Sequence, residues 1–270
     1  MNRKPTFRPG DPIEGRRALR SVRFLAAVGI WLAFGFAVPG RSVQHSPSPS
    51  AVTPTTDQIL NRYFEATGGR AAWQKLTSRV SKGTIEVASM NLSGTIEIDE
   101  KAPDRILSVI TIAGASFRQA FDGTIGWTDD PENGVREQSG AELAETRRDA
   151  DFYHPLDLKK LYTSLTVTGI EKVGDRDAYV VEAATAEGDP DRIFFDTVTG
   201  LPVRIISHRH GPNGPIDSVE DFEDFRDVDG IKLPFTIHQK TSETTLTIQI
   251  NEMHHNVSLD DSQFARPAVQ

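Results

Sequence analysis

The histidine pairs are where metal chemistry would first be sought in this chain. His208 and His210 lie two residues apart on a stretch with strand character, so their side chains share one face. Two imidazoles so placed can hold zinc, but a site needs a third protein ligand. Only Arg209 lies between them, and Gly211-Pro212 follows, so the pair reads as a solvated strand end at the mouth of a turn. His254-His255 is weaker still, because adjacent strand residues face opposite ways. The acidic run from Asp217 to Asp229 raises calcium. An EF-hand loop with its glycine at Gly230 needs an acid at position 225, and that residue is Phe225. The run reads better as a wetted strand face, with Glu220, Asp221, Glu223, Asp224 and Asp227 set among Val219, Phe222 and Phe225.

Other chemistries find less support. Any acid-rich sheet contains carboxylate pairs of the kind glycoside hydrolysis uses, and nothing in the spacing singles out two. There is no nucleophile elbow, phosphate-binding loop, dinucleotide fingerprint or His-Glu-x-x-His motif. With no cysteine, thiol catalysis and disulfides are excluded. Arg147-Arg148 is a candidate gate or headgroup contact, with a solvated helix face as the plainer reading. No catalytic residue, metal or cofactor is expected, and the chain reads as a protein that holds something rather than an enzyme.

The elements that must position such residues begin with helices. Thr55-x-x-Gln58 is a capping-box pattern, Ile59, Leu60, Tyr63 and Phe64 follow on one stripe, and Gly68-Gly69 ends the helix. A second short helix carries Ala72, Trp73 and Leu76. From Arg79 the period changes to two. Ile85 and Val87 alternate with Glu86, and Ile96 and Ile98 with Glu97 and Asp99. Residues 105–112 (RILSVITI) are apolar on both faces, which marks a central strand covered on both sides. Phe117, Gln119 and Phe121 form a further strand, then Ile125 and Trp127 a short one. Residues 139–162 break this pattern with polar helical character, interrupted at His154-Pro155. Strands resume around 165–167, 179–181, 193–195, 203–205, 231–237 and 246–250, about ten or eleven in all. Pro234 inside a strand indicates an edge or a bulge. Sheets of this size curl.

Residues 194–237 hold two blocks with one plan. Phe195-Asp196 leads to Thr199-Gly200-Leu201-Pro202, and Phe225-Arg226-Asp227 leads to Asp229-Gly230-Ile231-Lys232-Leu233-Pro234. Each is a strand end, a Gly-centred hairpin turn and an apolar restart.

The N-terminus differs from the rest. Seven basic residues precede an uncharged run from Phe24 to Val38, against Asp11 and Glu14 alone. Residues 1–40 thus read as a signal peptide, or as an N-terminal anchor to the inner membrane if uncut. Residues 41–54 are a Ser/Pro-rich linker, and residues 55–266 are the folded domain. Seven of the 30 basic and two of the 38 acidic residues lie in 1–40, so the remainder carries about −13. Such a surface repels phosphate backbones, so no nucleic-acid partner is expected.

The segments ILNRYFEATGGRAAWQKL (59–76), FDGTIGW (121–127), RRDADFYHPLDLKKLY (147–162), FFDTVTGLPVR (194–204) and FRDVDGIKLPFTI (225–237) together resemble the outer-membrane lipoprotein-sorting, or LolA-like, proteins. The resemblance covers about residues 56–265 and lies in strand and turn texture. It implies a mainly β (α+β) fold, a large curled antiparallel sheet forming an unclosed half-barrel with helices over its concave face. It also implies an apolar cavity for lipids or lipoprotein acyl chains, a periplasmic location, and envelope transport proteins as partners. The lack of cysteine is like the soluble carrier of that system, while the long N-terminal extension departs from it. Ile85, Val87, Ile96, Ile98, Phe117, Phe121 and Trp127 are the cavity-wall candidates, chosen from strand parity. The helix pair and residues 139–162 are the candidate lids. A membrane-anchored envelope sensor on the same scaffold and a carboxylate-based hydrolase are the alternatives.

Overall fold

The computed structural model describes residues 53–186, 189–211, 214–242 and 244–268. The expected export segment and all but the last two residues of the linker lie outside the described residues. Helix α1 (Thr56–Ala66) opens on the expected capping box. Gln58 N donates to Thr55 Oγ1 at 3.3 Å, and Thr55 N donates to Gln58 Oε1 at 2.8 Å. Helix α2 (Gly69–Trp73) follows at once. Strands β1 (Ser78–Val87), β2 (Leu92–Lys101), β3 (Arg105–Ile112), β4 (Ala115–Phe121), β5 (Gly126–Asp130) and β6 (Gly134–Glu137) form the first meander. Helices α3 (Gly140–Asp149) and α4 (His154–Leu161) come next. Strands β7 (Ser164–Val173), β8 (Arg176–Ala184), β9 (Asp191–Asp196), β10 (Pro202–Gly211), β11 (Gly214–Val228), β12 (Ile231–Thr241) and β13 (Thr245–His255) form the second.

The two meanders make one antiparallel sheet of 13 strands, in the order β6-β5-β4-β3-β2-β1-β13-β12-β11-β10-β9-β8-β7. Strands β6 and β7, consecutive in sequence, are therefore opposite edges, and α3–α4 must cross the whole sheet to join them. Helix α3 touches β4, β5 and β10. Strands β4 and β10 are seven places apart, about 34 Å in a flat sheet at ~4.8 Å per strand. A ten-residue helix is only about 15 Å long. It reaches both sides because the sheet is curled around it. The result is an unclosed half-barrel with helices in its concave side.

Register decides which side chains face those helices. Ile85 stands opposite Ile248, Ile96 opposite Ile110, and Ile110 opposite Phe117. These residues form one core with Ile59, Leu60 and Tyr63 of α1 and Leu158 of α4.

Several expectations need correction. The sheet has 13 strands against the ten or eleven expected. Strand β6 is four residues without apolar alternation, and β11 is the 15-residue acidic run itself. Strand β3 lies inside the sheet, but only Ile106, Ser108, Ile110 and Ile112 are buried, and its other face is half-exposed. Glu220 is not on a wetted face. It stands opposite Gln239, two residues before Phe222 on the same side, and is 2% exposed. Pro234 sits on an interior strand rather than an edge. Pairing of β12 with β13 runs only from Thr236↔Gln249 to Lys240↔Thr245, so the Pro234 end of β12 parts from β13, where the missing N–H breaks no bond to that strand.

Candidate functional site: a cavity beneath the helix pair

A cavity of about 120 Å³ lies where β12 and β13 part. Its walls come from α1–α2 (Tyr63, Trp73), the sheet (Ile98, Phe222, Ile237, Ile250) and the start of α4 (His154, Pro155). A bulge between Lys82 and Gly83 loosens the other side of β13 at the same level, where Gly83 pairs with Ile250. A second space of about 30 Å³ adjoins it under α4, among Leu158, Tyr162, Ile193 and Ile205. Tyr63, His154 and Pro202 border both.

The helices over this space are held by their ends. The Tyr153 hydroxyl donates to Leu76 O at 2.9 Å, tying the start of α4 to the end of α2. Lys232 N donates to Thr67 O at 3.2 Å, and Arg62 Nη2 donates to Val198 O at 2.6 Å. So both Gly-centred turns of residues 194–237 are seats for the helix pair as well as hairpins. The inner faces of the helices contribute the buried side chains of Ile59, Leu60, Tyr63 and Trp73, with full burial of each of the two aliphatic ones worth roughly 1.5–3 kcal/mol.

Polar groups interrupt the apolar wall, among them Glu220, Lys232, an ion pair and a buried histidine. Arg79 on β1 and Glu100 on β2 form a two-point ion pair. Arg79 Nε donates to Glu100 Oε2 at 2.5 Å and Nη2 to Oε1 at 2.6 Å. They are 9% and 5% exposed. His154 is buried, and burial followed by the nearby Arg79 charge pushes its imidazole down to about 4, so it is neutral at physiological pH.

A buried charged network lies beyond, under α3. Arg209 of β10 forms an ion pair with Asp149, Nη2 to Oδ2 at 2.9 Å, with Glu145 3.9 Å away. Burial works against its charge, but Asp149 and Glu145 hold its pKa above the usual arginine value. Burial raises Asp149 and lifts Glu220 well above the ordinary carboxylate range. Burial also pushes Asp191 of β9 up to about 8, against the charges of Arg148 and Arg209 and a hydrogen bond from Tyr162. Sequence spacing offered no signal for this cluster, because Asp191, Arg209 and Glu220 meet through the pairing of β9, β10 and β11, and Asp149 comes from α3 laid over them.

The seven wall candidates divide. Ile85, Val87, Ile96, Ile98, Phe117 and Phe121 are buried on the concave face, and Ile98 also borders the larger cavity. Trp127 is on the other face. Gly126, not Trp127, stands opposite Phe121, and Trp127 pairs with Ala120. Its indole N–H donates to Phe264 O at 2.8 Å, so the C-terminal segment covers it on the convex side. The histidine pair is separated. His208 Nδ1 meets Asp217 at 2.6 Å, and His210 Nδ1 meets Glu145 at 2.6 Å. Among the described residues no group of three or more His, Cys, Asp or Glu is placed to hold a metal ion.

Comparison with solved structures decides the fold. An outer membrane lipoprotein-sorting protein domain from Vibrio parahaemolyticus superposes with a TM-score of 0.52 at 11% identity, covering 77% of this chain and 94% of that one. A LolA superfamily protein from Nitrosomonas europaea gives 0.51 at 14% identity, covering 79% and 99%. The fold is LolA-like. A DUF1329 family protein from Desulfovibrio piger shares it, with a TM-score of 0.52 at 15% identity over 79% of this chain and 98% of that one. No family model matches the sequence, and no curated protein matches it. At these identities the likeness is one of LolA-like architecture.

Proposed function

We propose that this chain is an exported, non-enzymatic carrier or binding protein for lipids or lipoprotein acyl chains. The observation that carries the reading is the largely apolar cavity between the splayed strands β12–β13 and helices seated on two turns. An apolar space under a separable cover suits a ligand whose binding comes from apolar burial, about 0.8 kcal/mol per CH₂. The carrier must also let go. Ile59, Leu60, Tyr63 and Trp73 already pack beneath the helices, so an acyl chain longer than the cavity competes with helix packing.

The buried acids do not favour a hydrolase. Glu220 accepts from Gln239 Nε2 at 2.9 Å, and Asp149, at the end of α3, is paired with Arg209, so the two are not free carboxylates facing each other across a polar groove. Export and placement in the periplasm rest on residues 1–40. Among the described residues no helix is long and apolar enough to cross a membrane. The proposal is tested on protein purified from its host. Native mass spectrometry should find bound lipid, and a fluorescent fatty-acid probe should bind the stripped protein and be displaced by phospholipid. A chain that carries no lipid and takes no probe overturns the reading.

A further inference from the structure

Two donors in the wall of the larger cavity have no acceptor. Arg79 gives Nε and Nη2 to Glu100, which leaves Nη1 buried and unpartnered. Trp73 is 1% exposed, and its indole N–H is also buried without a partner. Buried donors are nearly always satisfied, and one left open is a place where an acceptor gains the bond without displacing another. Phe152 links the two residues, packing beside Trp73 and lying under the Arg79 guanidinium at 6.0 Å from its ring centroid. Both therefore stand at one end of the cavity, the end toward α2 and the start of α4.

We infer that this end receives the head of an acyl ligand as an uncharged oxygen acceptor, an ester or amide carbonyl, held by Arg79 and Trp73. This deepens the carrier reading and rests on it. Charge balance selects the acceptor. The Glu100 carboxylate already neutralises Arg79 at two points, so a free fatty acid would bring a second anion beside it in a low-dielectric wall. An ammonium head finds no unpaired anion there, since Glu100 is engaged and Glu220 is held toward its neutral form by burial. His154 is neutral and adds no cation. Lys232, also in the wall, is exposed at the rim. A carbonyl oxygen accepts two hydrogen bonds and adds no charge.

The test uses the full chain, stripped of lipid, and displacement of a fluorescent acyl probe at pH 7. Methyl dodecanoate, dodecanoate and tridecane are compared as competitors. The ester should bind on the order of tenfold more tightly than the alkane, the size of one well-made hydrogen bond, and more tightly than the acid. Trp73→Phe keeps an aromatic ring in the wall and removes the N–H, so it should reduce the ester's advantage over tridecane several-fold. Arg79→Met alone would strand Glu100, so the second variant is Arg79→Met with Glu100→Leu, which should also reduce the preference several-fold, and combined with Trp73→Phe should abolish it. Equal affinity for ester and alkane overturns the inference and leaves the carrier reading standing. So does tightest binding of the acid, which would mark an anion site. Binding by none of the three removes the carrier reading and the inference with it.

Discussion

Burial holds the Asp191 carboxyl up to about 8 and the His154 imidazole down to about 4, and these residues pull stability in opposite directions. The unfolded chain protonates His154 below about 6.5 and the folded chain does not, so that contribution is lost as pH falls from 6.5 toward 4. The unfolded chain releases the Asp191 proton above about 4 and the folded chain keeps it until about 8, so stability is lost as pH rises through that window. The two slopes cancel between 4 and 6.5. Above 6.5 the Asp191 slope stands without the opposing His154 slope. Stability should therefore fall from pH 6.5 to 8. Asp191→Asn keeps the shape without the titration and should flatten that slope by up to about 1.4 kcal/mol per pH unit, one proton's worth. Denaturant unfolding of both proteins at pH 6.5, 7.25 and 8 measures it. An unchanged slope would mean that Asp191 is already ionised at 6.5.

At the scale of elements, the helix pair depends on one close approach. Gly68 has φ +112°, and a Cβ there would lie 2.1 Å from Gly230 O. Its neighbour Gly69 has φ +75°, but a Cβ would meet only Glu65 Oε2 at 3.8 Å. Gly69→Ala should thus cost about 1–2 kcal/mol for backbone strain alone. Gly68→Ala adds the collision, should cost at least about 2 kcal/mol more, and should speed amide exchange in α1 and α2 before the strands. Equal effects would show that the Gly230 contact does not hold the pair in place. The hairpin role of Gly230 was legible in sequence, and its role as a helix seat was not. Turn chemistry is local, whereas the seat joins residues 162 positions apart. The same divide runs through the fold. Thr55 and Gln58 announced their helix, and alternation put Ile85, Ile96, Phe117 and Phe121 on one face. Alternation failed for Trp127, because the turn at 122–125 sets the register of β5. It failed for Glu220 because an acid at an inward position is tolerated only through partners from other strands, here Gln239 of β12 and Arg209 of β10. Those partners, like the splay of β12 from β13, are set by how separate stretches of the chain pair in the sheet.

At the scale of the molecule, the size of the cavity sets what the closed form can hold. An apolar cavity of ~150 Å³ takes one benzene, and the larger space here is about 120 Å³. A long acyl chain enters only if α1–α2 and α3–α4 move off the sheet. The sheet is built to allow this. Its 13 strands need no helix for their hydrogen bonds, whereas the helices meet it through side chains and a few end contacts. A series of acyl methyl esters from six to sixteen carbons separates a sealed space from an opening one. If the helices stay in place, affinity levels off near six to eight carbons, the filling of a benzene-sized space. If they lift, affinity keeps rising to the longest chains. The gain per CH₂ then stays below the ~0.8 kcal/mol of free transfer, because each added carbon displaces part of the contact that Ile59, Leu60, Tyr63 and Trp73 make with the sheet. We expect the second form, with slowed exchange in the strands and quickened exchange in α1, α2 and α4 as the chain lengthens. Levelling at six to eight carbons would make this a small-ligand site with a fixed roof.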